Sequence, residues 1–160
     1  MLRRPIGPDT QYQAALALAL AGDQPSAQAL TEGLAKRSPD DTIVQFLYLP
    51  ILHAQLALNR NDAPGAIKAL QTATPYELGA ALEAVYFRGL AYLAAHRGRE
   101  AASEFQKILN HHGLVLNAPI GALTHLHFQS REVLCRHLFN NVDQMVQAYK
   151  IEQDLAGVKA

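Results

Sequence analysis

Hydrophobic side chains recur along this chain at the spacing of helices rather than strands. Alanine and leucine dominate the apolar positions, and β-branched residues do not alternate with polar ones over any useful length. Both features are typical of helices. Helix-breaking segments then cut the chain into pieces of about three to five turns, which predicts an all-α protein of seven or eight helices. These segments are Gly22-Asp23, Ser38-Pro39-Asp40, Asn61-Asp62-Ala63-Pro64, Thr74-Pro75, Gly98, His112-Gly113, Asn117-Ala118-Pro119 and Asn140-Asn141.

Some of these segments also carry residues suited to starting a helix. A side-chain oxygen can accept hydrogen bonds from the free amides of a first turn, and a proline in that turn loses no needed donor. Because the connections are short, consecutive helices are expected to pair as antiparallel hairpins. The residues that fit this capping scheme are Asp23 with Pro25, Asp62 with Pro64, and Asn117 with Pro119.

Pro50 interrupts the apolar stretch from Ile43 to Leu58. Inside a helix it removes one backbone hydrogen bond and clashes with the preceding turn. Either residues 41–58 form one kinked helix, or a short helix ends near Leu49; we favour the kink.

The chain is also self-similar. In three copies, a small residue of one helix precedes an alanine of the next helix by 12 positions. Two antiparallel helices approach closely only where both carry small side chains. We therefore expect one domain over residues 1–160, with repeats at about 9–39, 41–74 and 76–112 and a divergent C-terminal hairpin at about 118–156. The small-residue pairs are Ala15 with Ala27, Ala54 with Ala66, and Gly89 with Ala101.

This pattern resembles the tetratricopeptide repeat family, which has small and aromatic residues in both helices, a Gly-Asp-like turn and a closing proline. The resemblance implies a right-handed α-solenoid that binds proteins. Where the family places leucine before the first small residue, this chain has Ala14, His53 and Arg88. The matching residues are Ala15, Gly22, Asp23, Ala27 and Pro39 in the first copy, and Gly89, Ala91, Tyr92, Ala101 and Phe105 in the third.

Four segments of the chain carry a narrower resemblance: Tyr48-Leu49-Pro50, Pro75-Tyr76-Glu77-Leu78-Gly79, Arg88-Gly89-Leu90-Ala91-Tyr92-Leu93 and Glu104-Phe105-Gln106-Lys107-Ile108-Leu109. Through them, residues 14–126 resemble the C-terminal repeat region of some bacterial serine/threonine protein kinases. The chain has none of the sequence motifs of kinase chemistry, such as a glycine-rich phosphate loop or a metal-binding aspartate motif. A detached regulatory or scaffolding segment of a kinase-like signalling protein is therefore one alternative.

Charge and cysteine content narrow the choice of partner and compartment. The 160 residues include 14 basic and 14 acidic ones, mixed along the chain, so the sequence predicts no nucleic-acid or membrane partner. The single cysteine, Cys135, has no partner for an internal disulfide, which favours the cytoplasm. The apolar run from Ala14 to Ala21 is too short to span a bilayer and is interpreted as part of the first helix rather than a secretion signal.

Histidines are the only residues that suggest a metal site. The pairs His111-His112 and His125-x-His127 have spacings that point helical side chains apart, so no metal and no cofactor are expected. Cys135 could act as a nucleophile with His137 or His125, but a small buried apolar role is the simpler interpretation. Asp40-Asp41 indicates a helix start rather than an acid/base pair. The sequence therefore favours a non-enzyme, with a histidine-dependent enzyme as the weakest alternative.

A binding surface is the functional hypothesis that the repeat supports. In hairpin solenoids the first helix of each pair lines the concave face, where tyrosines could grip a peptide. Lysine and arginine rows that clamp a terminal carboxylate are missing. Alternatively, these residues pack against neighbouring helices, or the face mediates a homodimer. The partner-binding residues predicted for this face are Tyr12, Leu16, Tyr48, Ile51, Gln55, Glu83, Tyr86 and Leu90, with the three tyrosines exposed together.

Overall fold

The computed structural model describes residues 7–78, 82–115 and 119–128, and across these ranges the chain is helical, without strands. This confirms the all-α prediction for the described residues. The predicted second helix of the C-terminal hairpin lies outside them. The α-helices are α1 (Pro8–Leu20), α2 (Gln24–Arg37), α3 (Leu49–Asn59), α4 (Ala63–Gln71), α5 (Glu83–Ala94), α6 (Gly98–Asn110) and α7 (Pro119–Phe128), and turns of 3₁₀ helix lie at Thr74–Tyr76 and His112–Leu114.

Two of the predicted caps are confirmed. The Asp23 carboxylate accepts from the Ser26 amide at 3.2 Å, and the Asp62 carboxylate accepts from the Gly65 amide at 2.9 Å. Asp41 likewise accepts from the Val44 amide at 3.1 Å, which confirms the helix-start interpretation. The third predicted cap, Asn117, lies outside the described residues.

The turns α1–α2, α3–α4 and α5–α6 share one geometry. Each contains a residue with positive φ, namely Gly22 at 86°, Asn61 at 58° and His96 at 57°. In each turn the next residue donates its amide to a carbonyl five positions earlier, at 2.8 to 3.0 Å. These bonds satisfy the free carbonyls of the first helix and fix how the second helix returns. The three bonds join Asp23 to Leu18, Asp62 to Ala57, and Arg97 to Tyr92.

The backbone remains helical through Pro50. Residues Val44–Tyr48 form a π-helical segment that leads directly into α3, and the Leu49 amide donates to the carbonyl of Val44. Because proline has no amide to donate, widening the turn just before it accommodates the missing bond. Residues 42–59 therefore form one continuous helical stretch rather than a short helix that ends near Leu49, and a π-helical segment lies just before the proline at which the sequence predicted a kink.

The helices pack in consecutive pairs, α1 with α2, α3 with α4 and α5 with α6, while α3 also contacts both α1 and α5. All six predicted small residues at the crossings are buried. The approach of α5 to α6 is close at Gly89, where an added Cβ would lie 2.8 Å from Cζ of Phe105. Among the described residues, no helix is both long enough and apolar enough to cross a membrane.

Candidate functional site

Two tyrosines and a glutamate join the first helices of all three pairs. The ring of Tyr12 on α1 stacks on the ring of Tyr48 in the π-helical segment, with centroids 4.0 Å apart and planes 8° apart. The Tyr12 hydroxyl donates to Oε2 of Glu83 in the first turn of α5 at 2.7 Å. The Tyr48 hydroxyl donates to Oδ1 of Asp9 at 2.8 Å. One contact chain therefore runs from α1 past α3 to α5.

Both hydroxyls are held in the protonated form. Burial is the largest cause of the raised pKa of Tyr12, and the nearby Glu83 carboxylate raises this pKa further. Burial and the hydrogen bond to Asp9 raise the pKa of Tyr48 to about 12, with further contributions from the charges of Asp9, Glu83 and Asp41. These phenols therefore serve as hydrogen-bond donors at neutral pH rather than as general bases.

We call the accessible part of this cluster the Tyr48 surface, which consists of Asp9, Asp41, Tyr48 and Glu83. Asp9 is exposed and the other three residues are half-buried. The carboxylates disfavour acidic ligands at this surface. Tyr48 is also fixed in orientation by its stacking and its hydrogen bond, so a ligand would meet a preorganised aromatic ring.

The predicted exposure of all three tyrosines is wrong for Tyr12 and Tyr86, which are 1% and 6% exposed. The ring of Tyr12 is stacked on Tyr48, and Tyr86 contacts the rings of Phe87, Phe105 and His127 instead of the other tyrosines. Of the remaining predicted residues, Leu16, Ile51 and Gln55 are buried, and Glu83 and Leu90 are half-buried. That these residues bind a partner stays a prediction.

A buried ion cluster that the sequence pattern does not predict joins Arg88 on α5 to Glu104 on α6 and to Glu77. Nε and Nη2 of Arg88 donate to Oε2 of Glu104 at 3.0 and 2.8 Å, and Nη2 also pairs with Glu77. Burial opposes the guanidinium charge, but the bonds and charges of Glu104 and Glu77 outweigh it and raise the pKa of Arg88. The sequence feature that indicates such a cluster is an arginine inside an apolar helix, because a buried charge requires a partner of opposite charge.

Arg88 also reaches the end of the preceding hairpin. Its Nη1 donates to the Leu70 carbonyl at 3.4 Å and to the Thr74 hydroxyl at 3.3 Å. Lys107 adds a second cation, 2.9 Å from Oε1 of Glu104. This cluster ties the end of α4 to α5 and α6, and its groups are saturated by one another, which indicates a structural role.

The described histidines do not converge. His111 lies at the C-terminal end of α6, with Nδ1 2.8 Å from the Lys107 carbonyl. His127 stacks on Phe105 at 5.8 Å, and His125 is exposed. In the ranges that the structure covers, no group of three or more His, Cys, Asp or Glu side chains could hold a metal ion. Cys135 and His137 lie outside those ranges.

No protein-family model, curated protein or solved structure gives a significant match to this chain. The resemblances to tetratricopeptide repeats and to the kinase repeat region therefore stay predictions, supported by the residues quoted for them.

Proposed function

We propose that the chain is a tetratricopeptide-like α-solenoid that binds another protein or a peptide and has no catalytic role. The observation that carries this proposal is the row formed by α1, α3 and α5, which leaves the Tyr48 surface accessible. The shared geometry of the three hairpin turns supports the repeat assignment. Equivalent hairpins stacked side by side create an extended surface of the kind that repeat proteins use for binding.

The Tyr48 surface has the chemistry expected of a contact point for a polypeptide. A tyrosine combines a large apolar ring with a hydroxyl and loses little side-chain entropy on binding. Here the ring is already held by Tyr12 and Asp9, so the cost of ordering it is largely met in the free protein. Leu90 on α5 is half-buried and offers apolar area further along the row.

Selection from a random peptide display library tests the proposal without a known partner. We expect wild type to enrich a related set of peptides whose binding is lost in Tyr48→Ser and retained in Tyr76→Ser. Tyr76 is the matched control because it is an exposed tyrosine outside the row. Circular dichroism and thermal unfolding establish that both variants are folded. Enrichment of no peptide family, or equal binding by Tyr48→Ser, would contradict the proposal.

Self-association is a second candidate, favoured by one apolar surface. Phe46 stacks on Tyr76 with centroids 5.1 Å apart, yet these residues stay 37% and 39% exposed. Ile43 precedes Phe46 by three positions, on the same helical face, and is 48% exposed. Light scattering should show a dimer that Phe46→Ser splits and Tyr48→Ser does not. A monomer at all concentrations would refute this candidate.

A further inference from the structure

A groove lies between the second and third hairpins, away from the residues of the Tyr48 surface. Its volume is about 610 Å³ and it opens to solvent. One wall is a single face of α4, since its residues are spaced three, four and seven positions apart. The other wall is the turn between α5 and α6. The lining residues are Pro64, Ile67, Lys68 and Gln71 on α4, and Ala95 and Arg97 in the turn.

Arg97 is held in a fixed orientation beside this groove. Its Nε and Nη2 contact Oε1 of Glu100 at 2.9 and 2.8 Å, and its guanidinium lies 4.8 Å from the ring centroid of Tyr92. Within the described ranges, Nη1 has no hydrogen-bond partner. Three N–H donors, both on Nη1 and the second on Nη2, are thus left for a ligand on a side chain restrained by Glu100 and Tyr92.

Lys68 supplies the second cation of the groove. It is exposed on α4 and has no carboxylate partner among the described residues. Glu100 offsets part of the charge of Arg97, so Lys68 carries most of the uncompensated positive charge. Ile67, half-buried between these groups, provides an apolar floor. The groove thus combines two cationic donors with a small apolar surface.

We propose that this groove binds a short acidic segment of a partner polypeptide. Carboxylates of that segment pair with Lys68 and Arg97, and one of its apolar side chains packs on Ile67. The inference rests on the proposed binding function and adds a second contact surface of opposite charge preference. The face of α4 from Pro64 to Gln71 spans roughly 10 Å, which corresponds to about three residues of extended peptide. A partner that engages both surfaces would gain affinity from their linkage.

The test is an NMR titration of the full chain with acetyl-Glu-Leu-Glu-Leu-Glu-amide, with the lysine-for-glutamate peptide as the reversed-charge probe. The largest amide shifts are expected at the lining residues that follow Pro64, and the reversed-charge probe should leave them unchanged. Lys68→Glu should weaken binding on the order of tenfold, because it removes one attraction and adds one repulsion. Lys36→Glu is the matched control, since Lys36 is an exposed lysine in the last turn of α2, as Lys68 is in that of α4.

Any of three outcomes would overturn the inference: no saturable shifts at millimolar peptide, shifts of equal size with both peptides, or equal weakening by Lys68→Glu and Lys36→Glu. The inference and the proposed function fail separately. Library peptides that need Tyr48, together with no response to the acidic peptide, would refute only the groove. Acidic-peptide binding at the groove, without selection at the Tyr48 surface, would refute only the assignment of that surface.

Discussion

Replacing Gly89 with alanine tests the close approach of α5 and α6. The new Cβ would lie 2.8 Å from Cζ and 2.9 Å from Cδ1 of Phe105, whereas ordinary carbon contacts are about 3.5–4.0 Å. Phe105 is fully buried and its ring contacts Tyr86 and His127. The ring therefore has little room to move, and one of the two helices must shift.

Two opposing effects set the magnitude. Overpacking a buried site costs about 1–3 kcal/mol. Removing a glycine from a helix interior stabilises the helix by about 1 kcal/mol. We expect Gly89→Ala to lower the free energy of unfolding by about 1 kcal/mol. In Gly33→Ala, the comparison variant on α2, the new Cβ lies 3.3 Å from Nε2 of Gln11, which is buried and donates to the Leu30 carbonyl, and 3.6 Å from the Arg37 side chain. Gln11 must shift slightly, so the gain from removing this glycine is reduced to about 0.5 kcal/mol.

Urea unfolding followed by circular dichroism measures both variants. Introducing Gly89→Ala into a Phe105→Leu background should remove its cost, because the smaller side chain leaves room for the Cβ. If Gly89→Ala stabilises the protein as much as Gly33→Ala does, α5 and α6 do not approach closely at this position, and the packing argument is refuted.

Three further predictions concern the buried ions, pH and capping. Arg88→Leu removes the buried partner of Glu104 and leaves it only Lys107, which is half-exposed, so urea unfolding should show a loss of about 3 kcal/mol, most of it recovered in Arg88→Leu/Glu104→Leu. Unchanged stability would contradict the ion cluster. Burial lowers the pKa of His127, so the unfolded chain binds the imidazole proton more tightly than the folded chain does. The free energy of unfolding should therefore fall as the pH drops below about 6.5, and it should fall less steeply in His127→Phe. Identical pH profiles for the two proteins would argue against a buried His127 ring. Asp62→Ala removes the cap of α4 and should cost about 1 kcal/mol in thermal or urea unfolding; no loss would contradict the cap.

Local features of the fold followed from the sequence because their causes are local. Asp23 and Asp62 bond to amides three residues away, so breaker and cap patterns sufficed to place the starts of α2 and α4. The spacing of small residues likewise identified buried positions in each hairpin. The π-helical segment before Pro50 was not predicted. A kink and a widened turn both accommodate the backbone hydrogen bond that a proline cannot donate, and the sequence does not distinguish them.

The candidate site was harder to predict because burial depends on contacts between distant segments. Helical spacing places Tyr12, Tyr48 and Tyr86 on the first helices, but it does not say which neighbour covers each ring. Tyr12 bonds to Glu83, 71 positions away, and Tyr86 contacts His127 on α7. Arg88 is a second example. It lies where a repeat usually has leucine, and its main partner, Glu104, is 16 positions away on α6.

The central claim is that α1, α3 and α5 form one row, and a double-mutant cycle on Tyr12→Phe and Glu83→Met tests it most directly. Tyr12→Phe keeps the ring stacked on Tyr48 and removes only the hydroxyl, while Glu83→Met removes the acceptor with little change in size. We predict a coupling free energy of about 1.5 kcal/mol, at the low end for a charged hydrogen bond because Glu83 is partly exposed. A coupling within about 0.3 kcal/mol of zero would mean that α1 does not reach α5, and would contradict the row on which the proposed binding surface depends.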